Sequence, residues 1–208
     1  VYTQIQMENI PYLRGLESSF GLQSIPGTWI ESIQITKGTG NVVNGYESMA
    51  GLVNLEIKKP SEMEAFYLNA YQNRFGRSEV NMNAGKQLNK KWSTGLLGHA
   101  SSMFRNIDHN GDGFRDIPMG DNLALMYRWQ FQGEKMEAQF GVNAYQDRKL
   151  GGQNTYFRDS PVGYGVSMNA RHVDVYAKTG FFSKKPLRSF GVLYNLKYQE
   201  MNGAFGNR

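Results

Sequence analysis

The chain has 208 residues, of which 40% are hydrophobic and none is cysteine, and its formal net charge at pH 7 is +5. The mean hydropathy of -0.54, without any run of about 18 apolar residues, excludes α-helical membrane spans, and the lack of cysteine excludes disulfides and thiolate metal sites. Because the positive charge is spread along the chain without a basic block, we expect a solvated surface and no nucleic-acid partner.

The first sixty residues contain strand-like segments separated by glycine-rich turns. The stretch from Ile30 to Pro60, IESIQITKGTGNVVNGYESMAGLVNLEIKKP, reads as a strand, two turns and a second strand. Glycine adopts positive φ and allows close backbone approach, so these turns predict a compact connection. The apolar residues on either side are expected to pair as buried strands: Ile33, Ile35, Val53, Leu55 and Ile57.

A dinucleotide-binding loop is the alternative interpretation of this stretch. Such a loop needs GxGxxG running into a helix, with an acidic residue about 20 residues later. Here the segment after Gly51 returns to a strand pattern, and Lys58 and Lys59 stand where the acid is required. The sequence therefore argues against nucleotide binding.

From Glu62 onward the chain alternates apolar and polar residues in segments of about ten residues, separated by polar turns. This period of two predicts antiparallel β-strands with one apolar and one polar face. The seven predicted strands lie at 65–73, 79–87, 92–100, 122–132, 136–147, 172–181 and 190–199.

A globular β-sandwich would alternate in the same way, but two features favour a membrane barrel. Tight turns alternate with long loops at 104–121 and 148–171, as periplasmic turns alternate with external loops in outer-membrane barrels. Trp92, Trp129 and Phe181 lie beside the tight turns, where an aromatic girdle is expected. The polar face carries charged residues, as a water-filled lumen requires: Arg128, Glu137, Asp147, Asp174, Lys178 and Lys197.

Placed directly before such a barrel, the opening stretch resembles the C-terminal half of the plug domain of TonB-dependent outer-membrane transporters. In that family a segment of the form I-E-x-I-x-V-x-K-G, then a further G, then G-x-x-N-I-x-x-K leads into the first barrel strand. VYTQIQMENIPYL also resembles the family's V-x-x-D-G-x-P-L strand, with Glu8 and Asn9 in place of the acid and the glycine. The matching residues of the first motif are Ile30, Glu31, Ile33, Ile35, Lys37, Gly38, Gly45, Gly51, Asn54, Ile57 and Lys58.

The resemblance implies an all-β fold in two parts. Residues 1–60 would be the C-terminal part of an α+β plug domain, and residues 61–208 would be the first strands of an antiparallel transmembrane β-barrel. About seven strands cannot close a barrel of even strand number, and the family's barrels have about 22, so we expect a longer protein.

The implied function is active import of a scarce nutrient, such as a siderophore, a metal chelate or cobalamin, across the bacterial outer membrane. The implied partners are outer-membrane lipid, the periplasmic energy-coupling protein TonB and the small-molecule ligand. The alternative is a non-transporting structural subunit, built on the same fold and joined to other outer-membrane or surface lipoprotein subunits.

An enzyme is not expected. The sequence has no G-x-S-x-G nucleophile elbow and no metalloprotease spacing of His and acidic residues. The histidines lie apart: His99 on the polar face of a predicted strand, His109 in an external loop and His172 at the external end of a strand. We therefore expect scattered polar roles for them.

The first long loop contains one pattern typical of a cation site. Asp108, Asn110 and Asp112 stand in a D-x-N-x-D-G sequence, with the carbonyl of Phe114 and the carboxylate of Asp116 as further oxygen ligands. This arrangement resembles the front of an EF-hand-type calcium loop. Met119 replaces the bidentate glutamate expected at the last position, so the sequence predicts weak Ca²⁺ binding, with a metal-free hydrophilic hairpin tip as the alternative.

Overall fold

The chain forms two β-sheets. The computed structural model describes residues 3–14, 21–40, 42–183 and 188–206. A four-stranded sheet, called here the small sheet, precedes a seven-stranded antiparallel sheet, called the wall. Within the described ranges no helix is long and apolar enough to cross a bilayer.

The small sheet has the order β2-β1-β4-β3, with β1 and β4 parallel and the other neighbours antiparallel. Its strands are β1 (Thr3–Met7), β2 (Ile10–Leu13), β3 (Ile30–Lys37) and β4 (Gly51–Ile57). Four 3₁₀ turns complete this part: Gly21–Ser24, Gly27–Trp29, Val42–Asn44 and Tyr46–Ser48. Its described residues contain no α-helix, which differs from the α+β plug domain that the resemblance implies.

The strand pairing expected around the glycine-rich turns is confirmed, but the burial expected for β3 is wrong. Ile33 pairs with Leu55 and Ile35 with Val53. Leu55 is only 3% exposed, whereas Ile33 and Ile35 are 56% and 66% exposed. The sheet has two edge strands. The structure places Tyr12 and Leu13 of β2 in the core shared with the wall, whereas Ile33 and Ile35 of β3 lie outside it.

The wall confirms all seven predicted strands, in the order β13-β12-β9-β8-β7-β6-β5. They are β5 (Tyr67–Gln72), β6 (Arg77–Gln87), β7 (Trp92–Met103), β8 (Met119–Gln132), β9 (Met136–Gly152), β12 (Gly165–Phe182) and β13 (Ser189–Gly206). A small hairpin of β10 (Tyr156–Phe157) and β11 (Ser160–Pro161) lies in the loop between β9 and β12.

Several wall strands extend beyond their predicted ends. The long loops therefore shorten to residues 104–118 and 153–164, and His172 lies inside β12 rather than at its end. The strand ends of the wall that carry these two loops are called the long-loop end. The opposite strand ends, with the turns at 88–91 and 133–135, are called the tight-turn end. The predicted turn before β13 falls mainly on residues 184–187, outside the described residues.

The small sheet covers one face of the wall, called the inner face, and the core lies between them. Burying one large apolar side chain contributes about 1.5–3 kcal/mol, so a core shared by both sheets holds them together. Its buried members are Ile5, Met7, Tyr12, Leu13, Ile25, Trp29, Leu55, Ile57, Leu97, Ala124, Met126 and Tyr145.

Candidate functional site

The turn between β1 and β2 sends an acidic side chain into the interior. Glu8 and Asn9 have φ of 57° and 64°, the left-handed conformation found at both central residues of a type I′ hairpin turn. The Asn9 amide donates to Asn54 Oδ1 at 2.8 Å, which holds the turn against β4. Glu8 is consequently only 4% exposed, and a buried acid requires a partner.

Arg128 of β8 supplies that partner. Its side chain is fully buried, and its Nη2 donates to Glu8 Oε1 and to Gln139 Oε1, each at 3.1 Å. Its Nη1 donates to the carbonyls of Ile57 and Lys58, each at 3.2 Å. The Ile57 amide also donates to Glu8 Oε1. Because an unpaired buried charge is costly, this network ties the β1–β2 turn and the end of β4 to the wall.

A second buried polar cluster joins β2 to three wall strands. Tyr12 Oη lies 2.9 Å from His172 Nε2 and accepts a hydrogen bond from Asn143 Nδ2 at 2.6 Å. Asn143 Nδ2 also donates to Asp174 Oδ1 at 3.1 Å. Lys197 Nζ donates to the Tyr12 carbonyl at 2.9 Å. The small sheet is thus docked by polar contacts as well as by the apolar core.

The predicted motif glycines form the connection between β3 and β4. Gly38 and Gly45 have φ of 84° and 71°, and Gly51 has φ of 156°, all disfavoured for residues with a side chain. Gly40 has a different role: its amide donates to the Ser48 carbonyl at 2.8 Å, and a Cβ there would lie 2.7 Å from Ser48 Cβ. Positive φ and close approach therefore account for the glycines of the motif.

The remaining motif residues lie on the two strands. Asn54 is 1% exposed, and its Nδ2 donates to Gln34 Oε1 at 3.3 Å while its Oδ1 holds the β1–β2 turn. Glu31 and Lys37 are exposed on β3. The motif thus contributes glycines to the β3–β4 connection and the buried amide of Asn54, which holds the β1–β2 turn. The structure gathers none of these residues into a catalytic arrangement.

A polar cluster lies beside the β3–β4 connection. Gln4 Nε2 donates to the Asn44 carbonyl at 3.0 Å, and Gln6 Nε2 donates to Asn44 Oδ1 at 3.2 Å. Arg14 pairs with Glu47 at 2.9 Å. These contacts attach the connection to β1 and to the residue that follows β2.

At the long-loop end the wall borders a cavity of about 460 Å³. Its lining combines basic, acidic and thioether groups, and Lys149 Nζ pairs with Asp147 Oδ2 at 3.0 Å. Such a mixture of a few polar groups within an apolar lining is typical of small-molecule sites. Members of the lining are His99, Ser101, Met103, Asn122, Asp147 and Met168.

The predicted cation ligands all lie in the loop between β7 and β8. Asp108 accepts hydrogen bonds from the amides of Gly111 and Gly113 at 2.8 and 2.9 Å, and from Asn154 Nδ2 at 2.8 Å. Burial alone would raise the pKa of Asp108, but these hydrogen bonds outweigh it and hold the pKa below its ordinary value. The carboxylate is therefore stabilised in its charged form.

The other predicted ligands make similar local bonds. Asp112 Oδ1 accepts from the Phe114 amide at 2.8 Å, Asp112 Oδ2 accepts from Asn110 Nδ2 at 2.9 Å, and Asp116 Oδ2 accepts from the His109 amide at 2.8 Å. Among the described residues, no three His, Cys, Asp or Glu side chains come together as a metal cluster. A cation at this loop would therefore depend on amide and carbonyl oxygens as well as carboxylates.

Arg115 locks the two long loops together. Its guanidinium donates to the carbonyls of Gln153, Asn154 and Tyr156, and it lies 4.9 Å from the centroid of the Phe157 ring. Because a buried cation of the first loop donates hydrogen bonds to carbonyls of the second loop, the two loops form a single unit at the long-loop end of the wall.

The outer face of the wall, which points away from the small sheet, exposes apolar residues. The inner face, by contrast, is polar or covered by the small sheet. Along β8, Leu123, Leu125 and Tyr127 are 57%, 47% and 38% exposed, whereas Met126 and Arg128 are 1% and 0% exposed. The exposed apolar residues continue across neighbouring strands as one band. Other members are Phe66, Leu68, Val80, Val142, Val173, Val175, Phe190, Val192, Tyr194 and Leu196.

Aromatic and charged residues bound this band. At the tight-turn end, Trp92 lies 5.0 Å from Phe131 between ring centroids, and Trp129 stacks on Phe140 at 5.2 Å. The predicted position of Trp92 and Trp129 beside the tight turns is thereby confirmed. Towards the long-loop end, two exposed ion pairs lie beyond the band: Arg148 with Asp121 and Arg171 with Glu200.

Sequence reasoning did not identify Tyr12 or the buried role of His172. Tyr12 and His172 are 160 positions apart, and no local pattern connects them. The signal that was present is the alternation itself: extending the period of two backwards from Asp174 places His172 on the same polar face.

No protein-family model matches the chain, and no curated protein matches it. Among solved structures, that of the siderophore receptor PirA from Acinetobacter baumannii matches 97% of this chain, with a TM-score of 0.54 and 15% sequence identity. The chain spans 37% of the length of that receptor. At this identity the likeness shows the fold alone, and it confirms the all-β fold that the resemblance implies.

Proposed function

We propose that the chain is part of an outer-membrane, TonB-coupled transporter that imports a scarce small nutrient. Residues 1–60 would be the C-terminal part of its plug domain, and residues 61–208 the first strands of its barrel. The fold shared with a siderophore receptor supports this proposal. The partners would be outer-membrane lipid, TonB in the periplasm and the imported ligand, and the protein would not be an enzyme.

One observation carries the proposal: the two faces of the wall have opposite chemistry. The outer face exposes a continuous apolar band, which in a water-soluble protein would be a liability. The inner face buries Arg128, Asn143, His172 and Asp174 against the small sheet. An apolar exterior around a polar, filled interior is the arrangement of a plugged membrane barrel.

The ligand site would lie at the long-loop end. The cavity there opens between the wall and loop residues Ile117 and Pro118, on the side remote from the tight turns. Loops carry recognition in barrel proteins because the scaffold below them is rigid. The imported ligand would be a siderophore, another metal chelate, cobalamin or a similar small nutrient.

We also propose that the loop from Asp108 to Asp116 binds Ca²⁺ weakly and is ordered by it. The ligands would be Asp108, Asn110, Asp112, the Phe114 carbonyl and Asp116, all of which are oxygen donors suited to a hard cation. Because this loop is locked to the second one through Arg115, calcium would stabilise both loops at once.

The transport proposal is tested by deleting the gene for the complete protein and measuring uptake. Radiolabelled ferric siderophores, other metal chelates and cobalamin are supplied singly at limiting concentration to the parent, the deletion strain, the complemented strain and a strain lacking TonB. We expect uptake of one ligand to be lost in both the deletion strain and the strain lacking TonB. Unchanged uptake of every ligand, with dissociation of a multiprotein outer-membrane complex in the deletion strain, would identify a structural subunit instead.

A further inference from the structure

The turn between β5 and β6 holds an arginine in a fixed position at the long-loop end. Arg77, the first residue of β6, pairs with Met103 at the end of β7, where the first long loop begins. Asn73 Oδ1 accepts from the amides of Phe75 and Arg77, each at 3.0 Å, and such side-chain bonds stabilise a turn locally. The Arg74 guanidinium lies 4.7 Å from the centroid of the Phe75 ring. Arg74 is therefore positioned by a cation–π contact.

A second arginine reaches this turn from the first long loop. Arg105 Nη1 donates to the Arg74 carbonyl at 3.0 Å. Its aliphatic chain crosses Gly76, where a Cβ would lie 2.6 Å from Arg105 Cγ. Gly76 also has a φ of 90°, so the turn and the crossing side chain both require glycine there. The backbone of the turn thus places Arg105 beside Arg74.

Both guanidiniums lack an acidic partner. Among the described residues neither Arg74 nor Arg105 forms an ion pair, although Arg148 and Asp121 pair at the same end of the wall. Both side chains are exposed. Two neighbouring positive charges repel each other, and an anion bound between them removes that repulsion.

The two arginines line a groove of about 650 Å³ between the β5–β6 turn and the first long loop. The acid in its lining, Asp108, already accepts hydrogen bonds from two backbone amides and from Asn154 Nδ2. The His109 ring closes one side and meets the Phe75 ring edge-on at 5.9 Å between centroids. None of the described residues lines both this groove and the cavity of about 460 Å³, so the two are separate sites.

We propose that Arg74 and Arg105 bind a phosphate group in this groove. A guanidinium donates two parallel hydrogen bonds to phosphate oxygens. A phosphate monoester carries a charge of about −1.5 to −2 at pH 7, which matches two guanidiniums, whereas a single carboxylate matches one. The ligand is therefore a phosphorylated molecule, either soluble or a lipid with a phosphorylated headgroup.

The position of the groove suits both sources. It opens at the long-loop end, where a soluble ligand has access. Val80, an exposed member of the apolar band, lies on the same β6 strand a few residues from the turn. A lipid whose chains cover Val80 would hold its headgroup near the turn. The site is independent of the proposed transport function.

Calorimetric titration of the complete protein distinguishes the two sources. The protein is kept in a neutral detergent without calcium and at low ionic strength, which limits screening of exposed charges. It is titrated with inorganic pyrophosphate and, separately, with diphosphoryl lipid A in the same detergent. Heat with pyrophosphate shows that the phosphate groups are sufficient, whereas heat with lipid A alone shows that the site requires the lipid.

The variants remove the two guanidiniums in turn. Arg74→Gln removes a side chain that contacts the Phe75 ring, so the hydrogen bonds of the loops stay intact. Arg105→Gln is then added to it. Lys90→Gln with Lys91→Gln is the matched control, because it removes two exposed positive charges from the tight-turn end and reports any general effect of net charge.

We expect the dissociation constant of the titrant that binds to rise about tenfold in Arg74→Gln and further in the double arginine variant, as when a hydrogen bond to a charged group is lost. The lysine control should bind as the parent does. Absence of heat with both titrants, unchanged affinity in the double arginine variant, or an equal loss in the lysine control would overturn the proposal. Because binding is measured directly, the result does not depend on the uptake experiment.

Discussion

Replacing Arg128 by Met tests the buried ion pair that docks the small sheet. The guanidinium has no exposed surface, and it bonds Glu8, Gln139 and the carbonyls of Ile57 and Lys58. Met fills much of the space but leaves the Glu8 carboxylate buried without its guanidinium partner, with Lys178 Nζ 3.7 Å from Glu8 Oε2. Removing one partner of a buried pair costs about 3–5 kcal/mol, and we expect docking to lose this amount.

Urea unfolding in detergent at pH 7.5 measures the loss. Trp29 is 1% exposed in the shared core, and its emission shifts to the red when the small sheet leaves the wall. Trp92→Phe and Trp129→Phe in all samples remove the other two tryptophans of these 208 residues, and any tryptophan elsewhere in the complete protein is replaced in the same way. The midpoint and slope of the transition then give the free energy of undocking.

Arg148→Met is the matched control. Arg148 and Asp121 form an ion pair on the outer face with side chains 46% and 45% exposed, so its loss should cost at most about 1 kcal/mol. Adding Glu8→Gln to Arg128→Met should restore part of the loss, because a buried carboxylate is then no longer left without its guanidinium partner. If Arg128→Met costs no more than Arg148→Met, the ion pair does not dock the small sheet.

Three further changes test other parts of the structure. Gly40→Ala should destabilise the small sheet by about 1–3 kcal/mol in the same urea assay, because the new methyl group overlaps Ser48. Gly27→Ala is the control and should be neutral, because nothing lies within 4 Å of the new methyl group. Because the pKa of Asp108 is lowered, its ionised carboxylate stabilises the loop at pH values above about 4, the ordinary pKa of a carboxyl group. This contribution is lost as the pH falls through the lowered pKa. Amide-exchange protection of residues 108–116, corrected for the intrinsic rate, should therefore persist to about pH 4 and disappear below it, and Asp108→Asn should abolish the step. Calorimetric titration of the complete protein with Ca²⁺ should give a dissociation constant in the range of about 10⁻⁴–10⁻³ M, lost in Asp112→Ala, and an absence of heat in the parent would discard the site.

The strands could be predicted because their chemistry is local. Leu123, Leu125 and Tyr127 alternate with Ala124 and Met126, and a period of two assigns both the strand and its faces without knowledge of any partner. The glycine turns were predictable for a similar reason, since positive φ at Gly38 and Gly45 is a property of the residue itself.

Strand ends and the docking contacts could not be predicted. Arg171 and Glu200 continue their strands above the apolar band, but a polar residue in a strand cannot be distinguished from one in a loop by hydropathy. The burial of Glu8 depends on Arg128, 120 positions later in the chain. The exposure of Ile33 and Ile35 depends on which edge strand of the small sheet packs into the core shared with the wall, which no local pattern records.

The most direct test of the membrane-barrel interpretation is the lipid exposure of β8. Single cysteines at Leu123, Ala124, Leu125, Met126 and Tyr127 carry nitroxide labels in the complete protein reconstituted into bilayers, and collision with oxygen and with a water-soluble nickel complex is measured at each. We predict that oxygen accessibility is high at 123, 125 and 127 and low at 124 and 126, with the nickel complex excluded from all three outer positions. Equal accessibility at successive positions, or access of the nickel complex to 125, would contradict a wall whose outer face lies in lipid.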